Sequence, residues 1–226
     1  MKNPSQKRFY REKFDGVSEH HDKLLNDYAI NRRIEFFRAH RSGLVVDVGS
    51  GSGKILSMLH CCEAFGADLS FRMVHKMKGN GINGFQSDAE FLPINDAVID
   101  TAIGSEIIYY LDDPSRFLRE AHRVLKPNGK LLLSSFNNSV RFYCQLRMLL
   151  RMIGLNRMYF DDGNKTFTTA KQLRRLMRQA GFREIEVIKV VLIPWERADF
   201  INRFLEKTFL RHAGMFIFVS GTKAVG

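Results

Sequence analysis

Short apolar runs alternate with segments of helical periodicity from Leu44 to the carboxyl-terminal region. Seven of these runs have the length and composition of buried strands. They are Leu44–Val48, Ala64–Leu69, Gly84–Ser87, Val98–Ile103, Lys130–Phe136, Glu184–Ile193 and Met215–Thr222. Strands that alternate with helices favour a mostly parallel sheet with helices on both faces. The pattern therefore predicts a doubly wound α/β fold with a seven-stranded sheet.

Two of the intervening helices are marked by their ends. One is expected to begin at Asp113 and Pro114, which suit a helix cap and a first turn, and to end before the turn sequence 127–129. Its apolar face contains Phe117, Leu118, Ala121 and Leu125. The other is expected to begin at Thr169 with the capping box of residues 169–172 and to stop at Gly181.

The same pattern predicts one domain made of a sheet core and covering segments. We expect an N-terminal helical cap (1–42), a core (43–136) and two inserts (137–168 and 194–214) that determine the substrate. In the second insert, apolar residues recur at helical spacing: Phe200, Ile201, Phe204, Leu205 and Phe209. This insert is predicted to be a helix laid over the site.

Composition and charge exclude several classes of protein. The 226 residues carry a formal net charge of +11, which favours an anionic partner such as a nucleic acid, a membrane surface or a phosphorylated substrate. No apolar stretch is long enough for a membrane span or a signal peptide, so a cytoplasmic protein is expected. The three cysteines include one adjacent pair and no metal-ligand spacing. Neither disulfides nor a bound metal are therefore expected.

The segment 47–53, Asp-Val-Gly-Ser-Gly-Ser-Gly, runs from a strand through three alternate glycines into a helical pattern. Dinucleotide sites prefer Gly-x-Gly-x-x-Gly, whereas this turn has Gly-x-Gly-x-Gly with an aspartate two positions before the first glycine. It is similar to the glycine motif of class I S-adenosylmethionine-dependent methyltransferases. The alternative is an ordinary strand-to-helix turn that binds nothing.

About twenty residues later, Asp68 ends the second strand, where a carboxylate can accept hydrogen bonds from both ribose hydroxyls of a nucleoside. The alternative is that Asp68 caps the next helix, although Ser70 is placed to serve as that cap. Further on, the segment 87–96 resembles the family's segment after the third strand, in which an acidic residue beside a small one meets the adenine amino group. Asp88 and Ala89 are the matching positions.

With the fourth strand and the segment 119–131, the resemblance to small-molecule methyltransferases extends from about Phe14 to Gly181. It implies a Rossmann-like sheet with an antiparallel last strand, helical caps and S-adenosylmethionine as cofactor. The cofactor-binding residues that it implies are Asp47, Gly49, Ser50, Gly51, Gly53, Asp68, Leu69, Asp88, Ala89 and Gly104.

The segment 14–26 also looks like the entry segment of the ubiquinone/menaquinone-biosynthesis C-methyltransferases, with His21 in place of a tyrosine. These enzymes carry an Arg-Asn pair after the fourth strand, where this chain has Glu106 to Leu111. If a general base or substrate contact is used, the candidates are His21, Glu106 and Tyr110. The alternatives are a solvated histidine and tyrosines that only pack beneath the cap.

The Phe- and Met-rich caps favour a small apolar or amphiphilic acceptor such as a quinone, a lipid or an aromatic metabolite. Basic and apolar residues interleave in Arg141–Ile153, which suggests either peripheral membrane contact or a cap helix with solvated arginines. Two alternatives remain open: an RNA methyltransferase that uses a basic surface around Arg174, and a non-catalytic scaffold that keeps the cofactor site.

Overall fold

The computed structural model describes residues 5–17, 27–60, 63–138, 168–190, 199–208 and 214–224. Its helices are α1 (Ser5–Val17), α2 (Asp27–His40), α3 (Lys54–Leu59), α4 (Phe71–Gly79), α5 (Pro114–Val124), α6 (Ala170–Gln179) and α7 (Asp199–Glu206). Its strands are β1 (Val45–Val48), β2 (Ala64–Asp68), β3 (Gly84–Gln86), β4 (Ile99–Ser105), β5 (Leu125–Phe136), β6 (Phe182–Val190) and β7 (Phe216–Lys223).

The seven strands form one sheet in the order β3-β2-β1-β4-β5-β7-β6. Strands β1 to β5 pair in parallel, and β7 runs antiparallel to both β5 and β6. This arrangement confirms the predicted Rossmann-like sheet with its antiparallel last strand. Because β1 to β4 run in one direction, the segments that follow them meet at the same edge of the sheet.

Helix α5 ends before the turn sequence 127–129, as expected, but the strand that follows begins earlier than the predicted Lys130. Helix α5 ends at Val124, and Leu125, which was assigned to the helix face, is already the first residue of β5. In the β4–β5 pair, Ile99 is paired with Leu125, and the next pair is Thr101 with Lys130. The turn sequence therefore forms an irregularity within the β4–β5 pair, where Asn128 has a positive φ of 62°.

The core lies on both faces of the sheet. Side chains of α5 and α6, among them Phe117 and Met177, pack on one face with Leu133. On the other face, Phe37 of α2 and the buried residues of α3 pack with Leu132. Consecutive leucines of β5 thus point to opposite faces, as the period of a strand requires. None of the helices in the described parts of the chain is long and apolar enough to cross a membrane.

The structure describes little of the first predicted insert (137–168) and more of the second (194–214). Residues 139–167 lie outside the described residues, as does Phe209 of the second insert. The helix predicted in that insert is present as α7. Phe200 of this helix is 81% exposed, and Asn202 is its buried residue. Polar contacts of Glu206 with Tyr28 and Arg32 connect α7 to α2. That the apolar side of α7 covers the site stays a prediction.

The capping box predicted at α6 is present. The Thr169 hydroxyl accepts a hydrogen bond from the Gln172 backbone N–H, and the Gln172 side chain accepts one from the Thr169 N–H. We predict that Thr169→Ala lowers the free energy of unfolding by about 1 kcal/mol, measured by urea denaturation. The control is Lys171→Ala at an exposed position of the same helix. Equal stabilities of the two variants would contradict the capping role.

Candidate functional site

The glycine turn lies directly after β1 and is folded against the end of β2. The backbone N–H groups of Gly49 and Ser50 both donate to the Ala67 carbonyl, at 2.7 and 3.1 Å. Gly49 has φ of 75°, and a Cβ atom there would lie 2.6 Å from the Ile107 side chain. Any larger residue would therefore push the loop after β4 away from the turn.

Asp68 connects the glycine turn to the beginning of α4. Its two carboxylate oxygens accept hydrogen bonds from the backbone N–H groups of Gly51 and Ser70, each at 2.8 Å. The cap of α4 is Ser70, whose hydroxyl accepts from the Met73 N–H, as the sequence suggested. The neighbouring Leu69 carbonyl accepts a hydrogen bond from the Gln86 side chain at 2.9 Å, which links the ends of β2 and β3.

Asp47 is a buried carboxylate without a hydrogen-bond partner. Its exposed fraction is 0%, and neither carboxylate oxygen meets a donor. The Ser50 hydroxyl, itself buried and unpaired, approaches the carboxylate without reaching hydrogen-bond geometry. Burial raises the pKa of Asp47 to about 7, and the negative charge of Asp68 contributes in the same direction. Such a group indicates a binding site for a donor that the chain itself does not supply.

Glu106, one of the predicted catalytic residues, lies at the centre of a polar network immediately after β4. One carboxylate oxygen accepts from Arg33 of α2 at 2.8 Å, and the other accepts from the Tyr109 hydroxyl at 2.8 Å. Glu106 has φ of 58°, a backbone conformation that non-glycine residues adopt at a cost and that is frequent at functional sites. Both carboxylate oxygens thus have donors, which favours a positioning role for Glu106 over that of a base.

Arg33 was not predicted from the sequence, although its neighbours on the helix indicate that it is buried. The apolar residues Ile30, Phe36 and Phe37 lie three or four positions away, so this arginine falls on the buried side of an amphipathic helix. Its exposed fraction is 5%, and its guanidinium lies 5.9 Å from the Phe216 ring. A charged residue on an apolar helix face is expected to have a specific partner.

Tyr110 belongs to an aromatic cluster that joins α1 to the loop after β4. Its ring lies 5.1 Å from Tyr10 and 5.1 Å from Phe14, both on α1, and 4.6 Å from Tyr109, all in edge-to-face orientations. Tyr109 in turn lies 5.7 Å from Phe136 at the end of β5. The packing that was left open as an alternative for Tyr110 is therefore present, and the aromatic cluster lies beside Glu106.

Asp88 and Ala89 follow β3, on the same edge of the sheet. Asp88 accepts hydrogen bonds from Lys7 at 2.5 Å and from the Glu90 backbone N–H at 2.9 Å. Ala89 is buried. Lys7 also pairs with Glu90, and Asp15, near the other end of α1, accepts a hydrogen bond from Ser70. Helix α1 therefore extends across this edge of the sheet from Asp88 to Ser70.

Gly104 and His21 are two further residues that the sequence predicts to lie in the site. A Cβ atom at Gly104 would lie 2.8 Å from Leu133 and 3.0 Å from Phe117, so the structure explains this glycine by close packing of β4 against β5 and α5. Its role in cofactor binding stays a prediction. His21 lies outside the described residues. The described residues contain no group of three or more His, Cys, Asp or Glu side chains that could hold a metal ion.

The sequence of the chain is similar to known methyltransferases. Residues 19–187 match a family described as a methyltransferase domain. An uncharacterised protein of Methanocaldococcus jannaschii is 23% identical over 192 residues, which cover 82% of this chain and 88% of the relative. The ubiquinone/menaquinone biosynthesis C-methyltransferase UbiE of Desulfotalea psychrophila is 28% identical over 172 residues, or 67% of this chain and 70% of the relative.

Solved structures share the fold over almost the whole chain. A methyltransferase dependent on S-adenosylmethionine, from Thermotoga maritima, has a TM-score of 0.73 at 23% identity and covers 94% of this chain and 99% of its own. A chain from the complex between the Haloferax volcanii Trm112 methyltransferase activator and a methyltransferase has a TM-score of 0.71 at 21% identity. That match covers 96% of this chain and 98% of the other.

Proposed function

Since the chain belongs to the methyltransferase-domain family and is an S-adenosylmethionine-dependent enzyme, we propose that it methylates a small apolar or amphiphilic acceptor. A quinone, a lipid or an aromatic metabolite has the required character. The observation that carries this proposal is the aromatic cluster of Tyr10, Phe14, Tyr109 and Tyr110 beside the carboxyl end of β4, in which Tyr10 and Tyr109 are buried and Phe14 and Tyr110 are half-buried. Aromatic side chains favour flat or apolar ligands.

The residues at the carboxyl ends of β1 to β3 fit the cofactor. The unpaired Asp47 carboxylate matches an ammonium group, and the glycine turn allows a ligand to approach the backbone closely. We propose that Asp68 accepts hydrogen bonds from the ribose hydroxyls and that Asp88 with Ala89 contacts adenine. Lys7 now occupies one oxygen of Asp88, so we infer that α1 adjusts when adenine binds.

When bound, the cofactor supplies an electrophilic methyl group on a sulfonium sulfur. An acceptor nucleophile displaces the sulfur in line, forms the new bond to the methyl carbon and loses a proton if it carried one. The task of the chain is to orient the acceptor and exclude water. We propose that the aromatic cluster excludes water and that the Arg33–Glu106–Tyr109 network fixes the loop that the acceptor contacts.

The proposal agrees with the pathway named for one relative, the C-methyltransferase of ubiquinone and menaquinone biosynthesis in Desulfotalea psychrophila. We propose that the protein is cytoplasmic and contacts membrane surfaces peripherally. The exposed Phe200 and Phe204 of α7 support that contact.

The test uses the purified chain, methyl-labelled S-adenosylmethionine and a cell extract as the source of acceptors. Label is counted in organic-soluble, aqueous and nucleic-acid fractions. We expect label in the organic fraction, and we expect it to disappear with Asp68→Ala but not with Asp100→Ala, which alters the opposite edge of the sheet. Label in RNA would replace the proposal with the nucleic-acid alternative. Cofactor binding without label in any fraction would favour the non-catalytic scaffold.

A further inference from the structure

We propose that helix α7 is the membrane-binding element of the chain and that its partner is an anionic bilayer. The contact is made by three exposed apolar side chains, Phe200, Ile201 and Phe204, which together are called the α7 face. The proposal rests on the proposed function, because a lipid or quinone acceptor resides in a bilayer. Membrane binding is measured without an acceptor or a cofactor, so it can fail while the proposed methyl transfer stands.

Helix α7 is amphipathic in the reverse of the usual sense. Its polar side is turned toward the fold: Asn202 is buried, and the Glu206 carboxylate accepts hydrogen bonds from Tyr28 and Arg32 of α2. The three side chains of the α7 face are 81%, 45% and 61% exposed, in chain order. A surface helix that packs through its apolar side would have these side chains against the core. The polar contacts of α7 therefore hold its apolar side outward.

The α7 face has the form of an interfacial membrane anchor. Phe200 and Phe204 are one helical turn apart, which places their Cβ atoms about 5–6 Å from each other on one stripe of the helix. Arg203 and Lys207, also one turn apart, are exposed and border this stripe. Helices with aromatic residues on one side and basic residues beside them lie in the membrane interface, with the apolar side inserted and the cations among the lipid phosphates.

Helix α7 lies toward the edge of the sheet that carries the site. Strands β5 and β6 both run antiparallel to β7, so β6 has the direction of β1 to β5. The segment that follows β6 and contains α7 therefore leaves the sheet at the same edge as the glycine turn. Helix α2, which contacts α7 through Arg32, also supplies Arg33 to Glu106 after β4. A bilayer bound to the α7 face is thus beside the edge where we expect the acceptor.

Charge and area favour an anionic bilayer over a second copy of the chain. The net charge of +11 attracts the protein to anionic lipids and repels it from its own copies. A stable protein interface buries about 800 Å² on each partner, whereas a fully buried aromatic side chain contributes about 150–250 Å². At their observed exposures, the three side chains supply roughly 400 Å² or less. Insertion of a few apolar side chains is sufficient for a bilayer when electrostatic attraction adds to it.

The test is flotation of the full chain with lipid vesicles in a density gradient. One set of vesicles is phosphatidylcholine alone, and the other contains about one third phosphatidylglycerol. We expect the wild-type protein to bind the anionic vesicles more tightly and to lose part of this binding as NaCl is raised. Phe200→Ser should bind the anionic vesicles at least about tenfold more weakly, because it removes the apolar area of the most exposed side chain of the α7 face.

The matched control is Phe71→Ser. Phe71 is a 64% exposed phenylalanine of α4, which packs on β2 and β3 at the opposite end of the strand order from β6. This variant should bind vesicles as the wild type does. Equal weakening by Phe71→Ser and Phe200→Ser would contradict a specific role of α7.

Three other results would overturn the proposal. One is absence of wild-type binding to anionic vesicles, and another is equal binding by the wild type and Phe200→Ser. The third is a wild-type dimer in analytical ultracentrifugation that Phe200→Ser converts into a monomer, which would assign the α7 face to a second copy of the chain. Vesicle binding together with methyl label in RNA would leave the role of α7 intact and remove the proposed acceptor class.

Discussion

Asp68→Ala is expected to weaken binding of S-adenosylhomocysteine by about 100-fold or more, measured by isothermal titration calorimetry. The physical reason is that the Asp68 carboxylate accepts hydrogen bonds from the Gly51 and Ser70 N–H groups, each at 2.8 Å, and that we propose it also accepts them from the ribose hydroxyls. Its removal therefore loosens the glycine turn and deletes a charged acceptor of the ligand. The Kd for S-adenosylhomocysteine should rise, whereas the number of ligands bound per chain should change little.

Asp100→Ala is the matched control for this variant. Asp100 also accepts a backbone N–H, that of Leu44 at 2.9 Å, and pairs with Lys126, but it lies near the amino end of β4. The control should lower the free energy of unfolding and leave cofactor affinity within about threefold. If Asp68→Ala and Asp100→Ala affected affinity equally, the effect of Asp68 would be one of general stability.

Asp47→Asn is expected to stabilise the unliganded protein while it weakens cofactor binding by at least about tenfold. Burial raises the pKa of Asp47 from its ordinary value of 3.8 to about 7 in the folded chain. The folded chain therefore binds a proton more tightly than the unfolded chain, and the stability of the wild type falls as pH rises from about 4 to about 7. Asparagine has no such charge, and it cannot neutralise the ligand ammonium.

The measurement is urea denaturation of both proteins at pH 5 and pH 8. The advantage of Asp47→Asn in free energy of unfolding should be larger at pH 8, by about 2–3 kcal/mol. Asp100→Asn provides the contrast, because Lys126 holds the pKa of Asp100 below its ordinary value and the aspartate is favourable there. Identical pH dependence of wild type and Asp47→Asn would show that the buried carboxylate is not the group that titrates.

The parts of the site that lie close together in the chain were predictable from sequence. The glycine turn and the Ser70 cap each depend on residues within a few positions, and the Asp68 position depends on where a strand ends. The capping box at Thr169 is local in the same sense. In each case the residue type alone determines what the backbone can do there. These predictions therefore needed no knowledge of the tertiary structure.

The remaining features depend on which distant segments meet. The pairing of Lys7 with Asp88 joins residues 81 positions apart, and that of Arg33 with Glu106 joins residues 73 apart. No local pattern encodes these partners. The prediction that Leu125 lies on the helix face was wrong for a related reason. An apolar residue fits both a helix face and a strand. In the structure Leu125 is paired with the distant Ile99 and therefore belongs to β5. The helical spacing of Phe200 predicted helix α7, but not the polar contact of Glu206 with Arg32 that connects this helix to α2.

The most direct test of the account is a crystal structure of the protein with S-adenosylhomocysteine. We predict that the ligand lies along the ends of β1 to β4, with its ammonium at Asp47, its ribose at Asp68 and its adenine beside Ala89. Lys7 should then have moved away from Asp88 or share it with the adenine amino group. A ligand bound elsewhere, or at this edge of the sheet with its ammonium away from Asp47, would contradict the account.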